Sequence, residues 1–348
     1  MTATPAVLHL GRAAPAGAAV GWVSGGQRHV EYGGLTAPAG QPIAPETVFD
    51  LASVTKVVAT TCALARLAGL GQISLTDPAD RYLGWAALAP GVTLSTLAYH
   101  RAGLWEWQPL YLAGPAPTTT LAALPARYPA QSGRHYSDLS FMALGLVIEL
   151  VMGCRLDQAV AELVFDPLGL TSLGFAPLFG PTASSSWGDA IERQMVATGQ
   201  PYPVLFHDPG FAWRDGEING QANDGNAWHS FGGVAGHAGV FGALGDLLTL
   251  LESLAVDEDF WAPPVSATIF ADGPDAGQAF GWRSGSIELG GHPARCLWHP
   301  GFTGCGVGFV PGRGIGVAML TNRLLAPAPV DTAELWAASL VEVESALR

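Results

Sequence analysis

The chain has 348 residues, of which 49% are hydrophobic and 13% are charged, and its formal net charge is -13. This length allows one large domain or two closely packed ones, and the composition excludes a disordered chain. The acidic balance argues against nucleic acid or an anionic membrane as a partner, because both are recognised by basic surfaces.

Targeting and cysteine patterns point to the same compartment. No apolar run reaches the roughly 20 residues that a membrane helix needs, and residues 1–15 lack the basic start and apolar stretch of a signal peptide. The four cysteines show neither metal-ligand spacing nor a disulfide framework. We therefore predict a cytoplasmic protein without metal or other cofactor, which acts on a small molecule and has no nucleic-acid or membrane partner.

The first predicted elements are a hairpin and a buried helix. Ala18–Val23 and His29–Tyr32, separated by a glycine turn, predict a β-hairpin. Val54–Ala68 predicts a helix whose only charged residues are Lys56 and Arg66. A helix that is apolar or small nearly all round is expected to be buried.

A second buried helix is predicted at Leu139–Met152, with Ser137 and Asp138 suited to cap it and Gly153 to end it. Further helices are predicted at Asp157–Val164, Leu244–Leu254 and Thr332–Ala346. The segment 181–228, rich in Trp, Pro, Gly and Asp, is expected to be an ordered wall over a site.

Short strands are predicted near the C-terminus, at Ala279–Ile287, Ala294–His299, Thr303–Val310 and Gly316–Leu320. Strands near both ends of the chain, with helices between them, predict an α+β fold. An antiparallel sheet built from both termini is then flanked by helices and carries an inserted, mostly helical domain. We predict a sheet domain from residues 1–50 and 265–348, a helical domain from 51–264, and the active site between them.

The first chemical motif is Ser53-x-x-Lys56. Lys56 is the only lysine among 16 basic residues, and arginine could not replace a group that must at times be neutral. Residues three apart share one helix face, so the two side chains can meet. A lysine whose pKa is lowered by burial could take the proton of the serine, and the helix N-terminus could stabilise an oxyanion. An N-cap serine beside a surface lysine is the structural alternative.

Two further motifs are weaker on their own. Tyr136-Ser137-Asp138 precedes the second buried helix, where the phenol could hydrogen-bond the nucleophile and the leaving group, or where Ser and Asp simply cap the helix. His299 precedes a strand in which Gly304, Gly306 and Gly308 fall on one face, which would let a helix or a substrate backbone approach closely. His299 could hold a substrate carboxylate or polarise the reaction, or be an ordinary buried histidine.

Together and in this order, the motifs resemble the serine β-lactamase and D,D-peptidase superfamily, in its class C and esterase branch. Ser53-x-x-Lys56 is similar to the motif of nucleophile and base, Tyr136-Ser137-Asp138 to the Tyr-x-Asn motif of the general acid/base, and His299-Pro300-Gly301 to the Lys-Thr-Gly strand. The resemblance implies an oxyanion hole made by the N–H groups of Ser53 and Phe302. It also implies substrate-binding roles for His299, Gly301, Asp138 and Thr303.

Flanking segments extend the resemblance over nearly the whole chain from about Gly17. Leu97–Leu104 resembles a recurrent Leu-Thr-His-x-x-Gly-Leu segment. Asn223–Ala227 and Gly232–Gly239 resemble a subgroup that includes penicillin-binding-protein-like D,D-carboxypeptidases and N-acetylmuramoyl-L-alanine amidases, in which a His usually stands at Asn223. His237, in the second of these stretches, is either functional or held in a glycine-rich turn.

Three departures from the family pattern bear on function. His299 stands where the family has a permanently charged Lys, Asp138 stands where it has Asn, and Pro300 removes one N–H donor from the strand. The added charge of Asp138 should raise the pKa of Lys56, against the effect of burial. These changes argue against efficient antibiotic hydrolysis and leave acyl transfer intact.

The sequence thus predicts a serine hydrolase that works through an acyl-enzyme, with Ser53, Lys56 and Tyr136 as the catalytic residues. Its expected substrate is a cell-wall-derived peptide or muropeptide amide. A carboxylesterase, a weak β-lactamase and a non-catalytic peptide-binding relative remain as alternatives.

Overall fold

The computed structural model describes residues 4–85, 88–178 and 180–348. Its strands are β1 (Gly17–Ser24), β2 (Gln27–Gly34), β3 (Phe49–Asp50), β4 (Ser186–Trp187), β5 (Glu217–Ile218), β6 (Phe241–Gly242), β7 (Arg283–Leu289), β8 (His292–Pro300), β9 (Gly306–Val310) and β10 (Ile315–Thr321). Its helices are α1 (Cys62–Gly69), α2 (Asp80–Leu83), α3 (Leu94–Ala98), α4 (Pro117–Ala123), α5 (Asp138–Met152), α6 (Leu156–Val160), α7 (Ala190–Thr198), α8 (Leu244–Val256), α9 (Glu258–Trp261), α10 (Pro263–Phe270) and α11 (Thr332–Ala346).

Strands from both ends of the chain form one antiparallel sheet in the order β2-β1-β10-β9-β8-β7. The predicted sheet from both termini, with helices between its two parts, is therefore confirmed. Two small ladders lie outside it, β3 with β6 and β4 with β5. The predicted division into residues 1–50 with 265–348 and 51–264 stays a prediction; helix α8, inside the second range, packs on β1, β9 and β10.

Two of the predicted strands start several residues later in the structure than the sequence pattern indicated. Residues 279–282 form a buried loop instead, closed by a hydrogen bond from the Ala279 N–H to Trp282 O, and β7 starts at Arg283. Residues 303–305 lie in a turn closed by the Gly301 N–H on Cys305 O, so β9 starts at Gly306. Glycines with positive φ inside both segments explain the breaks, because such conformations do not continue a strand.

The sheet separates two hydrophobic cores because successive side chains of a strand point to opposite faces. On β10, Ala318 and Leu320 face the larger core, which the inserted helices complete. Val317 and Met319 face a smaller core, which helix α11 covers with Trp336 among other residues. The alternation that predicted these strands therefore also positions the helical layers.

Helix α11 explains the glycine-lined face of β9. A Cβ added to Gly306 would lie 2.8 Å from the Trp336 ring, and one added to Gly308 would lie 3.0 Å from the same ring. The sequence left open whether a helix or a substrate backbone packs against this face. In the structure, helix α11 packs against it.

Both predicted central helices are present and buried. The first runs as a 3₁₀ turn at Ala52–Val54, π-helical turns at Lys56–Thr61, and then α1. The second is α5, which Ser137 caps by accepting the Ser140 N–H and which ends at the left-handed Gly153. Across the described parts of the chain, no single helix is both long and apolar enough to span a membrane, although the bent pair α5 and Leu156–Phe165 passes by length and composition.

We expect Gly236→Ala to destabilise the protein by about 2 kcal/mol or more. A Cβ at this position would lie 2.2 Å from Phe141 O and 2.9 Å from Gly145 Cα, so helix α5 leaves no space for it. Urea unfolding measures the loss. Gly245→Ala is the matched control, because nothing lies within 4 Å of its added Cβ and alanine in a helix should stabilise by about 0.5–1 kcal/mol. Equal stability of Gly236→Ala and wild type would contradict the close packing.

Candidate active site

Ser53 lies where strand β3 passes into the first buried helix. Ala52 takes a left-handed backbone with φ 45° just before it, a conformation that costs a residue with a side chain about 1–2 kcal/mol. Asp50 Oδ1 stabilises this turn by accepting the Ala52 N–H at 2.8 Å. The turn presents the half-buried Ser53 at a helix start, where the dipole favours a developing oxyanion.

Lys56 is completely buried, and its ammonium contacts three groups. Nζ donates to Ser53 Oγ at 2.8 Å and to His237 O at 3.0 Å. It also lies 2.7 Å from Asp138 Oδ1. That contact is a bent ion pair, since Oδ1 has no hydrogen-bond partner within the residues that the structure describes. The nucleophile and amine that helix spacing pairs in the sequence are thus in direct contact.

Two opposing expectations for the pKa of Lys56 follow from the sequence, a decrease from burial and an increase from Asp138. Burial lowers its pKa, but the Asp138 carboxylate and the Tyr136 phenol raise it, and the net pKa lies above the ordinary value of lysine. The expectation that burial would bring Lys56 into the range of a neutral base is therefore wrong. The opposing effect of Asp138 outweighs it, because an unscreened carboxylate at close range stabilises the ammonium strongly.

Tyr136 lies beside this ammonium, with its ring centre 5.2 Å from Lys56 Nζ. The helix cap holds it there. Ser137 Oγ donates to Trp105 O at 2.6 Å and accepts the Ser140 N–H. Tyr136 and Lys56 are thus neighbours in the structure, as the motifs predict.

His100 is a site residue whose role the sequence analysis did not assign, although its segment was part of the resemblance. Its ring lies 4.5 Å from that of Tyr136 between centres, and its Nδ1 accepts the Ser137 N–H at 3.0 Å. Burial, together with nearby positive charges, lowers the pKa of His100 well below its ordinary value. A neutral His100 thus holds the backbone on which Tyr136 is carried.

The third motif lies at a free edge of the sheet. Strand β7 begins opposite Trp298, so from His299 onward β8 has no outer neighbour in the sheet. Gly301 is required there, because a Cβ would lie 2.5 Å from Leu51 O. The main chain at Gly301 therefore packs directly against Leu51, two residues before Ser53. The Phe302 N–H has no hydrogen-bond acceptor among the described residues, although the N–H groups of Gly301 and Gly304 in the same turn have one.

His299 is buried and neutral. Its Nδ1 lies 2.8 Å from Pro300 O, and since a carbonyl only accepts, Nδ1 carries the proton and Nε2 keeps its lone pair. Burial and the charges of Lys56 and Arg283 lower the pKa of His299 well below its ordinary value. A neutral ring offers no charge to a substrate carboxylate, which favours the other role considered for it, that of a polar group in the site.

Thr303 has a different contact from the one that the resemblance implies. Its side chain is buried, and its Oγ1 donates to Asp50 O at 2.7 Å. Thr303 therefore ties the β8–β9 turn to the strand that leads into Ser53, and its substrate-binding role stays a prediction.

The His237 segment completes the surroundings of Lys56 through its main chain. His237 O accepts from Nζ, while its Nε2 lies 2.8 Å from Asp224 Oδ1. Burial alone would raise the pKa of Asp224, but His237 outweighs that effect and the net pKa is lowered. Of the two roles considered for His237, the structure shows a histidine held in a glycine-rich turn, whose carbonyl accepts a hydrogen bond from Lys56 Nζ.

Asp50 joins the Ser53 turn to the Asn223 segment. Its Oδ2 accepts the Asn223 N–H at 2.6 Å, and the Asn223 amide in turn donates to Ser185 and Ser186. Burial raises the pKa of Asp50 to about 6, although the two N–H donors lower it. The sequence analysis assigned no role to Asp50 or Asp224.

The segment 181–228 is ordered by buried polar contacts. Arg214 makes three hydrogen bonds to the Asp189 carboxylate, through its N–H, Nε and Nη2, and His229 Nε2 lies 3.0 Å from the same carboxylate. Arg214 also donates to Ala222 O and Asn223 O. These bonds hold the main chain just before Asp224. Asp224 contacts His237, whose carbonyl accepts from Lys56. Over the described ranges, no group of three or more His, Cys, Asp or Glu is arranged to hold a metal ion.

We expect Asp138→Asn to move the rise of kcat/KM with pH to lower pH. A raised pKa keeps Lys56 charged at neutral pH, so the neutral amine forms only as pH increases. Removing the carboxylate removes the main cause that raises this pKa and leaves burial, which lowers it. Lysine labelled with ¹⁵N at Nζ should give a single side-chain resonance from Lys56, whose titration reports the shift directly.

Asp157→Asn is the control for this charge change, because Asp157 is partly exposed in the first turn of α6 and pairs with the surface Arg155. Its pH profile and its Lys56 resonance should match those of the wild type. A profile of Asp138→Asn that stays in place or moves to higher pH would contradict the assigned electrostatics.

Comparison with known sequences identifies the family. The Beta-lactamase family matches residues 9–341. A protein of Escherichia coli (strain K12) named "Putative D-alanyl-D-alanine carboxypeptidase" is 30% identical over 318 residues, which cover 81% of this chain and 70% of that protein. A protein of the same name from Salmonella gallinarum is 32% identical over 231 residues, which cover 59% of this chain and 50% of the relative.

Solved structures share the fold. A class C β-lactamase from Rhodobacter sphaeroides has a TM-score of 0.67 at 22% identity, and a penicillin-binding protein from Bacillus halodurans has 0.68 at 19%; each comparison covers 97% of this chain and 98% of the other. EstCE1, described as a hydrolase with promiscuous acyltransferase activity, has a TM-score of 0.68 at 23% identity, with 96% of this chain and 94% of EstCE1 covered. The chain therefore belongs to the Beta-lactamase family, within the superfamily of serine β-lactamases and penicillin-binding proteins.

Proposed function

We propose that this protein is a serine hydrolase that cleaves the terminal amide of a cell-wall-derived peptide through an acyl-enzyme on Ser53. The observation that carries the proposal is the 2.8 Å contact between Ser53 Oγ and the completely buried Nζ of Lys56, the only lysine of the chain. A serine hydroxyl needs such a partner to lose its proton. We keep a cytoplasmic location and a small-molecule substrate, without nucleic-acid or membrane partner, as part of the proposal.

In the first half of the reaction, Ser53 Oγ attacks the carbonyl carbon, and its proton passes to the group formed by Lys56 and Tyr136. The N–H groups of Ser53 and Phe302 hold the oxyanion; one such donor typically contributes about a hundred- to a thousandfold in rate. Tyr136 then returns a proton to the leaving amine as the carbon–nitrogen bond breaks. In the second half, water attacks the ester, and the same groups take its proton and restore Ser53.

The names of the sequence relatives support a peptide over the other substrates. The relatives at 30% and 32% identity are named for D-alanyl-D-alanine carboxypeptidase activity, which favours an acyl-D-alanyl-D-alanine peptide over a muramoyl amide. The neutral His299 offers no charge to a carboxylate, and because both a β-lactam and such a peptide carry one, His299 does not distinguish between them. A carboxylesterase is the second candidate, favoured by the likeness to EstCE1.

The test is steady-state hydrolysis of four substrates: diacetyl-L-lysyl-D-alanyl-D-alanine, N-acetylmuramoyl-L-alanine, p-nitrophenyl butyrate and a chromogenic cephalosporin. We expect release of D-alanine from the peptide with a kcat/KM well above that for the cephalosporin. Turnover of the ester alone would replace the proposal by a carboxylesterase. Absence of turnover and of covalent labelling on all four would favour a non-catalytic peptide-binding protein.

A further inference from the structure

Helix α7 lies on the surface and has no fully buried residue, yet one of its side chains contacts two distant segments. Glu192, in the first turn of α7, accepts the Gly225 N–H with its Oε1 at 2.6 Å. Its Oε2 lies 2.6 Å from the hydroxyl of Tyr111, which belongs to a buried 3₁₀ turn. Both oxygens of this carboxyl group are therefore engaged by residues that lie 33 and 81 positions away in the chain.

Gly225 leaves the space that this carboxyl group fills. Its φ of -66° and ψ of -35° are helical values that any residue adopts, so its backbone does not require a glycine. A Cβ at this position, however, would lie 2.2 Å from Glu192 Oε2 and 3.0 Å from Tyr111 Cε1. The glycine, the acid and the tyrosine thus form one fitted contact, and a larger residue at 225 would displace the carboxyl group.

The fitted contact leads to the active-site lysine through one residue. Asp224 directly precedes Gly225, and its Oδ1 lies 2.8 Å from His237 Nε2. The carbonyl of His237 accepts from Lys56 Nζ at 3.0 Å. Because adjacent residues share a planar peptide unit, a shift of Gly225 moves Asp224 with it. Asp224 in turn holds the ring of the residue whose carbonyl contacts the ammonium.

Glu192 is a carboxyl group without a cation. The neighbouring carboxylates are paired with basic side chains, Asp224 with His237, and Asp189 with Arg214 and His229. Within the described ranges, no basic side chain makes an ion pair with Glu192. Burial and the charges of Asp224 and Asp189 raise the pKa of Glu192 to about 8. Burial also raises the pKa of Tyr111, so at neutral pH both groups keep their protons.

We propose that Glu192 is a positioning residue of the reaction and that it acts through Gly225 on the group that holds Lys56 Nζ. That group is the pair of Asp224 and His237. As a neutral acid, Glu192 holds the main chain without adding charge beside Asp224. As a carboxylate, it repels Asp224 and adds to the negative charge that keeps Lys56 protonated. This inference rests on the proposed function, in which Lys56 exchanges the proton of the nucleophile.

The first test is steady-state hydrolysis of the best substrate in the four-substrate panel as a function of pH. Glu192→Ala removes the acceptor of the Gly225 N–H and should lower the plateau of kcat/KM by about 10- to 100-fold, the effect of misplacing a reacting group by about 1 Å. Glu192→Gln should stay within about threefold of the wild type at about pH 6.5, because its amide accepts and donates as the neutral acid does. At about pH 9, where the wild-type acid is ionised, Glu192→Gln should be about threefold or more faster than the wild type. Gly225→Ala, whose Cβ displaces the carboxyl group, should resemble Glu192→Ala.

The ¹⁵N resonance of Lys56 Nζ separates this role from a contribution to folding alone. In Glu192→Ala the ammonium loses its well-placed contact with the His237 carbonyl, so its titration should move to lower pH by about half a unit or more. Glu334→Ala is the matched control, because Glu334 is exposed and is likewise the third residue of a helix, α11. Its activity, pH profile and Lys56 titration should match those of the wild type.

Any of three results would overturn the positioning role: wild-type activity in Glu192→Ala, an unchanged Lys56 titration in that variant, or a loss in Glu192→Gln at about pH 6.5 as large as that in Glu192→Ala. If Glu192→Ala does not fold, the comparison of Glu192→Gln with the wild type carries the test, and the same activity ratio at both pH values would overturn the role. Failure of the wild type to turn over any of the four substrates would instead overturn the proposed function, and the Lys56 resonance would still report on the contact.

Discussion

Replacing Ser53 with alanine is expected to abolish turnover, with a loss of kcat of about 10⁴-fold or more. Ser53 Oγ is the hydroxyl that Lys56 Nζ contacts directly, at 2.8 Å, whereas its other two contacts are the His237 carbonyl and the Asp138 carboxylate. The residual rate should come from the oxyanion donors and substrate binding alone. Hydrolysis of the best substrate in the four-substrate panel measures the loss.

The fold should survive this change. Ser53 Oγ has one hydrogen bond in the structure, from Lys56, and an ammonium with two further partners stays satisfied without it. Mass spectrometry of the wild type during turnover should show the acyl group on a peptide containing Ser53. Ser132→Ala, which removes an exposed hydroxyl bonded to Pro129 O, is the matched control and should keep full activity. Full activity of Ser53→Ala, with native unfolding behaviour, would exclude Ser53 as the nucleophile.

Local rules predicted the parts of the site that lie close together in the chain. A spacing of three residues on one helix face places Lys56 against Ser53. Cap chemistry predicts that helix α5 starts after Ser137, which places Tyr136 at the helix mouth. The α+β fold follows similarly from strands at both ends of the chain. These parts need only helix geometry, caps and alternation.

The remaining parts depend on contacts between distant residues and could not be predicted in this way. The bond from Lys56 to His237 O spans 181 residues, and that from Asn223 to Asp50 spans 173. The net pKa of Lys56 depends on the competition between burial and Asp138, and its outcome requires the 2.7 Å distance. The predicted strand starts at 279 and 303 were too early for a local reason instead, because glycines with positive φ interrupt both segments and a pattern of apolar residues does not reveal them.

Lys56→Arg is expected to lower kcat/KM nearly as far as Ser53→Ala does, by about 10³-fold or more. A guanidinium keeps the positive charge beside Asp138 but cannot release a proton at accessible pH. The hydrolysis assay should therefore stay silent even at high pH, where the wild type becomes faster as Lys56 loses its proton. A variant that gains activity with pH in parallel with the wild type would show that another group takes the proton of Ser53.

Because Lys56 is completely buried, a loss of activity in Lys56→Arg must be separated from a loss of folding. Lys56→Met/Asp138→Asn removes the charge pair as a unit, which avoids the cost of about 3–5 kcal/mol for leaving one buried charge without its partner. This double variant should unfold near the urea midpoint of the wild type and still lack turnover, whereas Asp138→Asn alone should remain active. The double variant keeps the packing but lacks the amine, whereas Asp138→Asn keeps the amine. Activity in the second alone would show that turnover requires the exchangeable proton of Lys56.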